Sequence, residues 1–414
     1  MIYKKRLNKI LIALSITLSA SQVSAAGFQL NAQSATGLGR AFAGDAVIAD
    51  NASVASRNAA AMALFDSTAL SMGVNVIQTD INVSNGKYSP FGEPGIDSNY
   101  DNAGDISIAP NFHLIVPLND KFALGMSLYS NFATRSEFDS SFKGTEYGGL
   151  TDVKSINLAL LASYRINSQW SIGGGLDIIY GMGKLQRNFS DSYRPLLSGK
   201  RILDADTAGI GLGFNVGTVF ELDKNNRFGL SYHYSPRLHT KGDVFFLEDK
   251  RNANAIDDTL YLSLPDMAEF SGYHRLQGSK FAVHYSVQWI GWSSFESLDS
   301  AAHGTLKEYN WKDTYHVALG TTYYLNKDWT LRAGYMHDLS AQDKVTSISV
   351  PDSNRQWFSA GFTYQLNENS NIDFGTTYLL GQDVEVTEHL GPSKISATTH
   401  ADAILMAMQY SYVF

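Results

Sequence analysis

The chain has 414 residues, no cysteine and a formal net charge of -8; 44% of it is hydrophobic and only 17% charged. Without cysteine there is no disulfide framework, no thiol nucleophile and no lipid-anchored cleavage site, and the acidic balance argues against nucleic acid as a partner. So little charge suits a protein that shows lipid an apolar belt, yet beyond the first residues no apolar run is long enough for a transmembrane helix.

The elements in chain order point to an exported β-barrel. Lys4, Lys5, Arg6 and Lys9 precede a short apolar run, Ile10 to Leu18, and Val23-Ser24-Ala25 is a small-residue cleavage site. Residues 1–25 therefore read as a signal peptide, with a mature chain beginning Ala26-Gly27-Phe28. Residues 26–69 are rich in Ala, Gly, Ser and Asn and dotted with apolar residues such as Phe28, Leu38, Phe42 and Met62. That is too apolar for a solvated tail, and it predicts a plug folded back into a lumen.

From residue 70 to 414 the pattern is one of about fourteen amphipathic strands, an all-β transmembrane antiparallel barrel. Strand cores are predicted at Leu70–Gln78, Ile106–Val116, Phe122–Ser130, Ser155–Arg165, Trp170–Gln186, Ile210–Leu222, Arg227–Thr240 and Leu260–Gly272, with six more up to Phe414. Connections alternate: tight polar turns such as Pro117–Lys121 and Asn326–Asp328, then long loops such as Thr79–Asp105, Arg187–Gly209 and Asp383–Ala401. Outer-membrane barrels put short turns in the periplasm and long loops outside. The last strand sets Ile404, Met406, Met408, Tyr410, Tyr412 and Phe414 on one face, an apolar stripe for lipid. This C-terminal strand, ending in Phe414, is the expected handle for the barrel-assembly machinery. Outer-membrane lipid and lipopolysaccharide are the expected surroundings. Gly173, Gly175, Gly211, Gly213 and Gly217 are expected on inward faces, leaving room in the lumen.

The segments Ala26-Gly27-Phe28-Gln29-Leu30-Asn31 and Gly37-Leu38-Gly39-Arg40-Ala41 closely resemble the mature start of the outer-membrane long-chain fatty acid transporter (FadL) family. Glu221 to Arg227, Ala318 to Tyr324 and Ser347 to Asp352 resemble further family segments, with strands in the same order through Phe414. The resemblance implies a fourteen-stranded barrel closed by an N-terminal hatch, here residues 26–69. It implies passive transport of long-chain fatty acids: a luminal pocket, movement of the hatch, then lateral exit through the wall.

Three departures stand out. The family's Asn-Pro-Ala hatch motif reads Asn58-Ala59-Ala60, and without proline's fixed turn a looser hatch is expected. The Asn-Tyr-Gly run beside the family's kinked third strand reads Asn131-Phe132-Ala133. A smaller or shifted side opening is expected, because alanine resists angles that glycine allows. The loop Arg187–Gly209 is shorter than usual.

A fatty acid needs a cation at one end of a greasy pocket. By resemblance, Arg187 and Lys307 match the family's carboxylate-binding cations, Phe28 a hatch residue touching the ligand tail, and Gly217 a small position along the passage. On residues alone, Arg187 and Lys307 read first as ordinary rim cations, and the other reading of Phe28 is plug packing. Pro195, Leu196, Leu197, Ile202, Leu203, Val244, Phe245, Phe246 and Leu247 form apolar outer loops that suit lipid capture. Glu388-His389 reads as a solvated loop pair. The ten histidines show no ligand-like cluster, so no metal or other cofactor is expected. With no Ser–His arrangement of enzymatic spacing, the chain reads as a transporter, not an enzyme. The alternatives are uptake of neutral aromatic or aliphatic hydrocarbons by the same architecture, and a general porin.

Overall fold

A computed structural model describes residues 27–193, 197–247 and 254–414. The expected signal peptide lies outside the described residues. Fourteen antiparallel strands form a closed barrel: β1 (Ala69–Ser89), β2 (Ile106–Pro117), β3 in two pieces (Phe122–Tyr129 and Ala133–Glu137), β4 (Leu150–Arg165), β5 (Trp170–Asn188) and β6 (Arg201–Asp223). They continue as β7 (Asn226–Tyr234 and Arg237–Phe246), β8 (Ile256–Ser263 and Met267–Arg275), β9 (Phe281–Ile290), β10 (Thr314–Tyr324), β11 (Trp329–Asp338), β12 (Arg355–Asn367), β13 (Ser370–Leu380) and β14 (Ser393–Val413). Pairing of β1 with β14, from Ala69↔Val413 to Ser89↔Lys394, closes the wall.

The period-2 alternation sorts the residues as anticipated. On β14, Ile404, Met406 and Met408 are exposed, whereas Leu405, Ala407 and Gln409 are buried. The tight turns are built on Asx side chains: Asn119, Asn167, Asp223 and Asn326 each accept from a backbone N–H two residues on. Just above these turns outward rings pair across strands, Phe122 with Tyr164 (4.7 Å), Trp170 with Phe220 (4.7 Å) and Trp329 with Tyr364 (4.8 Å), a girdle suited to a membrane interface.

Two kinds of departure from the sequence-based ranges have clear causes. β1, β6 and β14 run on through residues read above as loop, because backbone pairing continues where no apolar stripe marks it. β7 and β8 are each interrupted, at Ser235–Pro236 and Leu264–Asp266. Proline has no N–H to give a ladder, and Asp266 instead caps the break by accepting from Ser235 N at 2.8 Å.

Inside the wall, residues 28–62 are buried almost throughout. Leu38 and Phe42 pack against Met336, Trp357 and Leu405; Val54 and Met62 pack against Ile115, Leu161 and Val219 on the far strands. Contact is close enough that a Cβ on Gly217 would sit 2.1 Å from Asn58 Oδ1, and one on Gly173 2.5 Å from the Ala59 backbone. Alanine serves at Asn58-Ala59-Ala60 because the turn is held by other means. The Asn58 side chain accepts from Ala60 N (3.0 Å) and donates to the carbonyls of Ala46 (2.9 Å) and Thr218 (3.1 Å).

Buried charges also join this segment to the wall. Arg40 pairs with Asp45 (2.7 Å) and Asp50 (2.9 Å), Arg57 with Asp45 (3.4 Å) and Glu269 (3.4 Å), and Arg332 with Asp50 (3.2 Å).

Candidate functional site: an outer cavity, an aromatic constriction and a break in the wall

The wall is interrupted beside β3. β2 pairs with β3 only from Phe112↔Leu128 to Pro117↔Ala123, and the second piece of β3 pairs only with β4. Ile106–Asn111 therefore has a strand on one side only. Unpaired backbone facing lipid is costly, and the N-terminal segment relieves part of that cost. Leu30 N donates to Asn131 O (2.7 Å) and Ala133 N to Phe28 O (3.0 Å), while Ser155 N reaches Phe132 O (2.8 Å). None of Asn131, Phe132 and Ala133 has a positive φ, so the kink needs no glycine. A cavity of about 610 Å³ lies at the break. Its outer end is bolted by Arg135 Nε to Asp105 Oδ2 (2.6 Å) and Glu137 N to Ala103 O (2.9 Å).

Phe132 turns its ring inward, onto Phe28 (6.1 Å between centroids) and Trp292 (6.0 Å). Phe28 also meets Trp292 (4.7 Å), Phe295 (5.5 Å) and Trp311 (5.7 Å). This cluster constricts the lumen. The space within it, about 40 Å³, is lined almost wholly by apolar groups such as Leu185, Leu260 and Leu262.

Outside the constriction lies a cavity of about 400 Å³ that contains both Arg187 and Lys307. Arg187, at the outer end of β5, is 9% exposed. It donates to the carbonyls of Leu150 (2.6 Å) and Gln186 (2.7 Å) and to the Thr151 hydroxyl (2.7 Å). Lys307 sits on a hairpin, Ser297–Ser300 with Gly304–Glu308, that joins β8 through Leu260↔Ser300. Its ammonium donates to Ser347 Oγ (2.9 Å) and Glu388 Oε2 (2.8 Å).

The cavities share walls. Leu185, Leu298 and Tyr309 line both the outer cavity and the constriction. Phe28, Thr134 and Val350 line both the constriction and a third space of about 130 Å³. Leu30, Ile77 and Ala133 line both that space and the break in the wall. Adjoining cavities thus line up from the two cations, past Phe28, to the break in strand pairing.

Of the residues singled out from the sequence, Arg187, Lys307 and Phe28 come together along this line, and Asn131–Ala133 at its end. Gly217 does not: it lies under Asn58, away from these cavities. Among the described residues the apolar outer loops form no open patch: Ile202, Val244 and Phe245 are buried, Leu197, Leu203 and Phe246 partly so, and Leu247 is exposed. Pairing of Leu203–Ala208 with Lys241–Phe246 turns alternate residues inward. Pro195 and Leu196 lie outside the described residues. Glu388 is not solvated: its carboxylate binds Lys307 and accepts from Ile348 N (2.7 Å). Tyr309 and Trp311 also belong to the site, and no strand pattern marks them, because the strand ends at Glu308 and Asn310 has a positive φ of 49°. Nothing local to Glu388 could have announced its partner.

Near the rim, Ser300, His303 and Asp258 meet, but the Ser300 hydroxyl donates directly to Asp258. No Ser-to-His-to-Asp relay results.

The family described as "Outer membrane protein transport protein (OMPP1/FadL/TodX)" matches residues 16–414. A "Long-chain fatty acid transport protein" of Escherichia coli O6:H1 is 36% identical over 451 residues, covering 99% of each chain. "Outer membrane protein P1" of Haemophilus influenzae is 34% identical over 93% of this chain and 92% of its own. A solved Pseudomonas aeruginosa FadL homologue aligns with a TM-score of 0.85 at 22% identity, over 94% of this chain and 99% of that one. The solved Pseudomonas putida toluene transporter TodX aligns with a TM-score of 0.66 at 15% identity, over 95% and 100%. These two likenesses show the shared fold.

Proposed function

Because this chain belongs to the outer-membrane transport family described as OMPP1/FadL/TodX, we propose that it carries long-chain fatty acids passively across the outer membrane. The observation that carries this reading is the line of adjoining cavities, with cations at the outer end and aromatic walls further in. A fatty acid has the matching polarity: one carboxylate for Arg187 and Lys307, and a tail for Phe28, Trp292 and Trp311. Arginine's fork suits a carboxylate, and tail burial is favourable at about 25 cal/mol per Å² of apolar surface.

In this scheme residues 26–69 act as the hatch. Phe28–Leu30 withdraws from Asn131–Ala133, and the tail leaves sideways through the gap between β2 and β3. The ligand gradient drives flux. The hatch covers the lumen, which speaks against a general porin. The neutral-hydrocarbon reading keeps one supporting observation, because Glu388 already neutralises Lys307.

Binding of oleate and methyl oleate to the purified protein separates these readings. The acid should bind more tightly; equal binding overturns the carboxylate clamp and favours neutral ligands. For the exit, Ile108→Cys with Ala133→Cys in this cysteine-free chain, joined by a bifunctional thiol reagent long enough to span the break, should block uptake and spare binding. Full transport by the cross-linked protein would instead send the ligand out past the hatch.

A further inference from the structure

Glu388 sits on the short strand Val384–Leu390, paired with the outer part of β14 through Glu388↔Ile395. Its side chain is 13% exposed and reaches into the outer cavity. One carboxylate oxygen accepts from Lys307 Nζ at 2.8 Å, the other from Ile348 N at 2.7 Å. The two cations of the mouth are thus in different states. Lys307 already holds a carboxylate; Arg187 holds two carbonyls and a hydroxyl.

We propose that Glu388 is a specificity-determining stand-in for the ligand headgroup, one that occupies Lys307 until an incoming carboxylate displaces it. The proposal rests on the fatty acid reading above.

Charge supports it. Arg187, Lys307 and Lys344 line the cavity with Glu146, Glu308 and Glu388, so its formal charges already balance, and an added anion fits best where a carboxylate gives way. Energetics support it too. Leaving the ammonium of the partly buried Lys307 without a partner is costly. Exchanging one carboxylate for another replaces like with like, because a charge-assisted bond to Lys307 exists before and after. A methyl ester or a hydrocarbon offers no charge to exchange, so it leaves the pair closed. The displaced side chain has somewhere to go: its neighbour Leu390 is exposed, at the rim of the barrel. Glu146, another carboxylate lining this cavity, is engaged elsewhere, by the Tyr88 hydroxyl and by Ser190 N (3.3 Å).

The test is a set of binding isotherms for oleate and methyl oleate with the full-length protein in detergent. Glu388→Gln keeps the shape and an acceptor for Ile348 N but removes the competing charge. It should bind oleate about tenfold more tightly, the worth of one charge-assisted contact, with methyl oleate unchanged. The gain should vanish when Lys307→Ala is added. Should Glu388→Gln fail to form the barrel, Glu388→Asp draws the carboxylate back from Lys307 and should give a smaller gain of the same sign. Unchanged or weaker oleate binding in these variants, with a wild type that still prefers acid to ester, overturns the displacement and leaves the fatty acid reading standing. A wild type that binds acid and ester alike overturns both.

Discussion

The inner and outer halves of the lumen are built on opposite principles. In the inner half, Arg40, Arg57 and Arg332 are matched to Asp45, Asp50 and Glu269, and the charges neutralise one another across the contact between the N-terminal segment and the wall. In the outer half the walls are aromatic, and Arg187 has no carboxylate partner among the described residues. A buried charge network is costly to open, because each half-broken pair leaves an uncompensated ion. Parting ring edges and one backbone bridge leaves no such ion behind. In the proposed scheme the contrast assigns the movement to Phe28–Leu30, which is bridged to Asn131–Ala133, and not to the paired charges of residues 40–57.

The largest effect should come from breaking the inner half. Arg57→Ala leaves Asp45 and Glu269 short of a partner and should cost about 3–5 kcal/mol of stability. Urea unfolding would report the loss, and planar-bilayer conductance should rise as the plug loosens. A variant as stable and as tight as the wild type would erase the contrast.

Next is the outer half's unpartnered cation. Arg187→Ala should weaken oleate binding by about 1.5–3 kcal/mol, the range for a hydrogen bond to a charged group, with a smaller drop in stability than Arg57→Ala. The reverse ordering of the two variants in the two assays would show that the halves do not differ in kind.

Phe28→Leu sharpens the picture at the constriction. It keeps apolar bulk and removes edge-to-face contacts worth about 0.5–1.5 kcal/mol. Binding should weaken by roughly twofold to tenfold for long acids, and hardly at all for acids too short to pass Lys307. A loss equal at all chain lengths would put the defect at the headgroup.

The smallest effect is one of pH. Asp352, in the loop before β12, accepts from the Ser340 hydroxyl (2.7 Å) and Ala341 N (2.9 Å). Burial pushes its carboxyl up to about 6. The folded state thus holds this proton more tightly than the unfolded chain, so folding gains stability as pH falls through about 6 towards the ordinary carboxylate range near 4. Melting temperatures of the wild type should rise relative to Asp352→Asn between about pH 7 and pH 5. A constant difference would mean that Asp352 titrates normally.

The barrel itself was legible in the sequence because its signal is local. Alternation at period 2, as in Ile404 to Tyr412, and Asx turns such as Asn326–Asp328 are set by chemistry within a few residues of each other. The signal ended where lipid ends, so the outer extensions of β1, β6 and β14 were invisible: pairing there is stabilised by a neighbouring strand, not by an apolar face. Pro236 and Pro265 were in plain view, and their breaks in β7 and β8 could have been read.

The site divides in the same way. Residue type and family resemblance suggested Arg187, Lys307 and Phe28. Only the closed wall brings Arg187 and Lys307 to one cavity, sets Phe28 beneath them, and removes Gly217 to the underside of Asn58. Only the fold turns Glu388 from a loop carboxylate into the partner of Lys307. The physical reason is distance along the chain. Hydrophobic periodicity is a property of neighbours in sequence. An ion pair between two outer hairpins, or a kink held by the far N-terminal segment, is a property of strands that meet only once the barrel has closed.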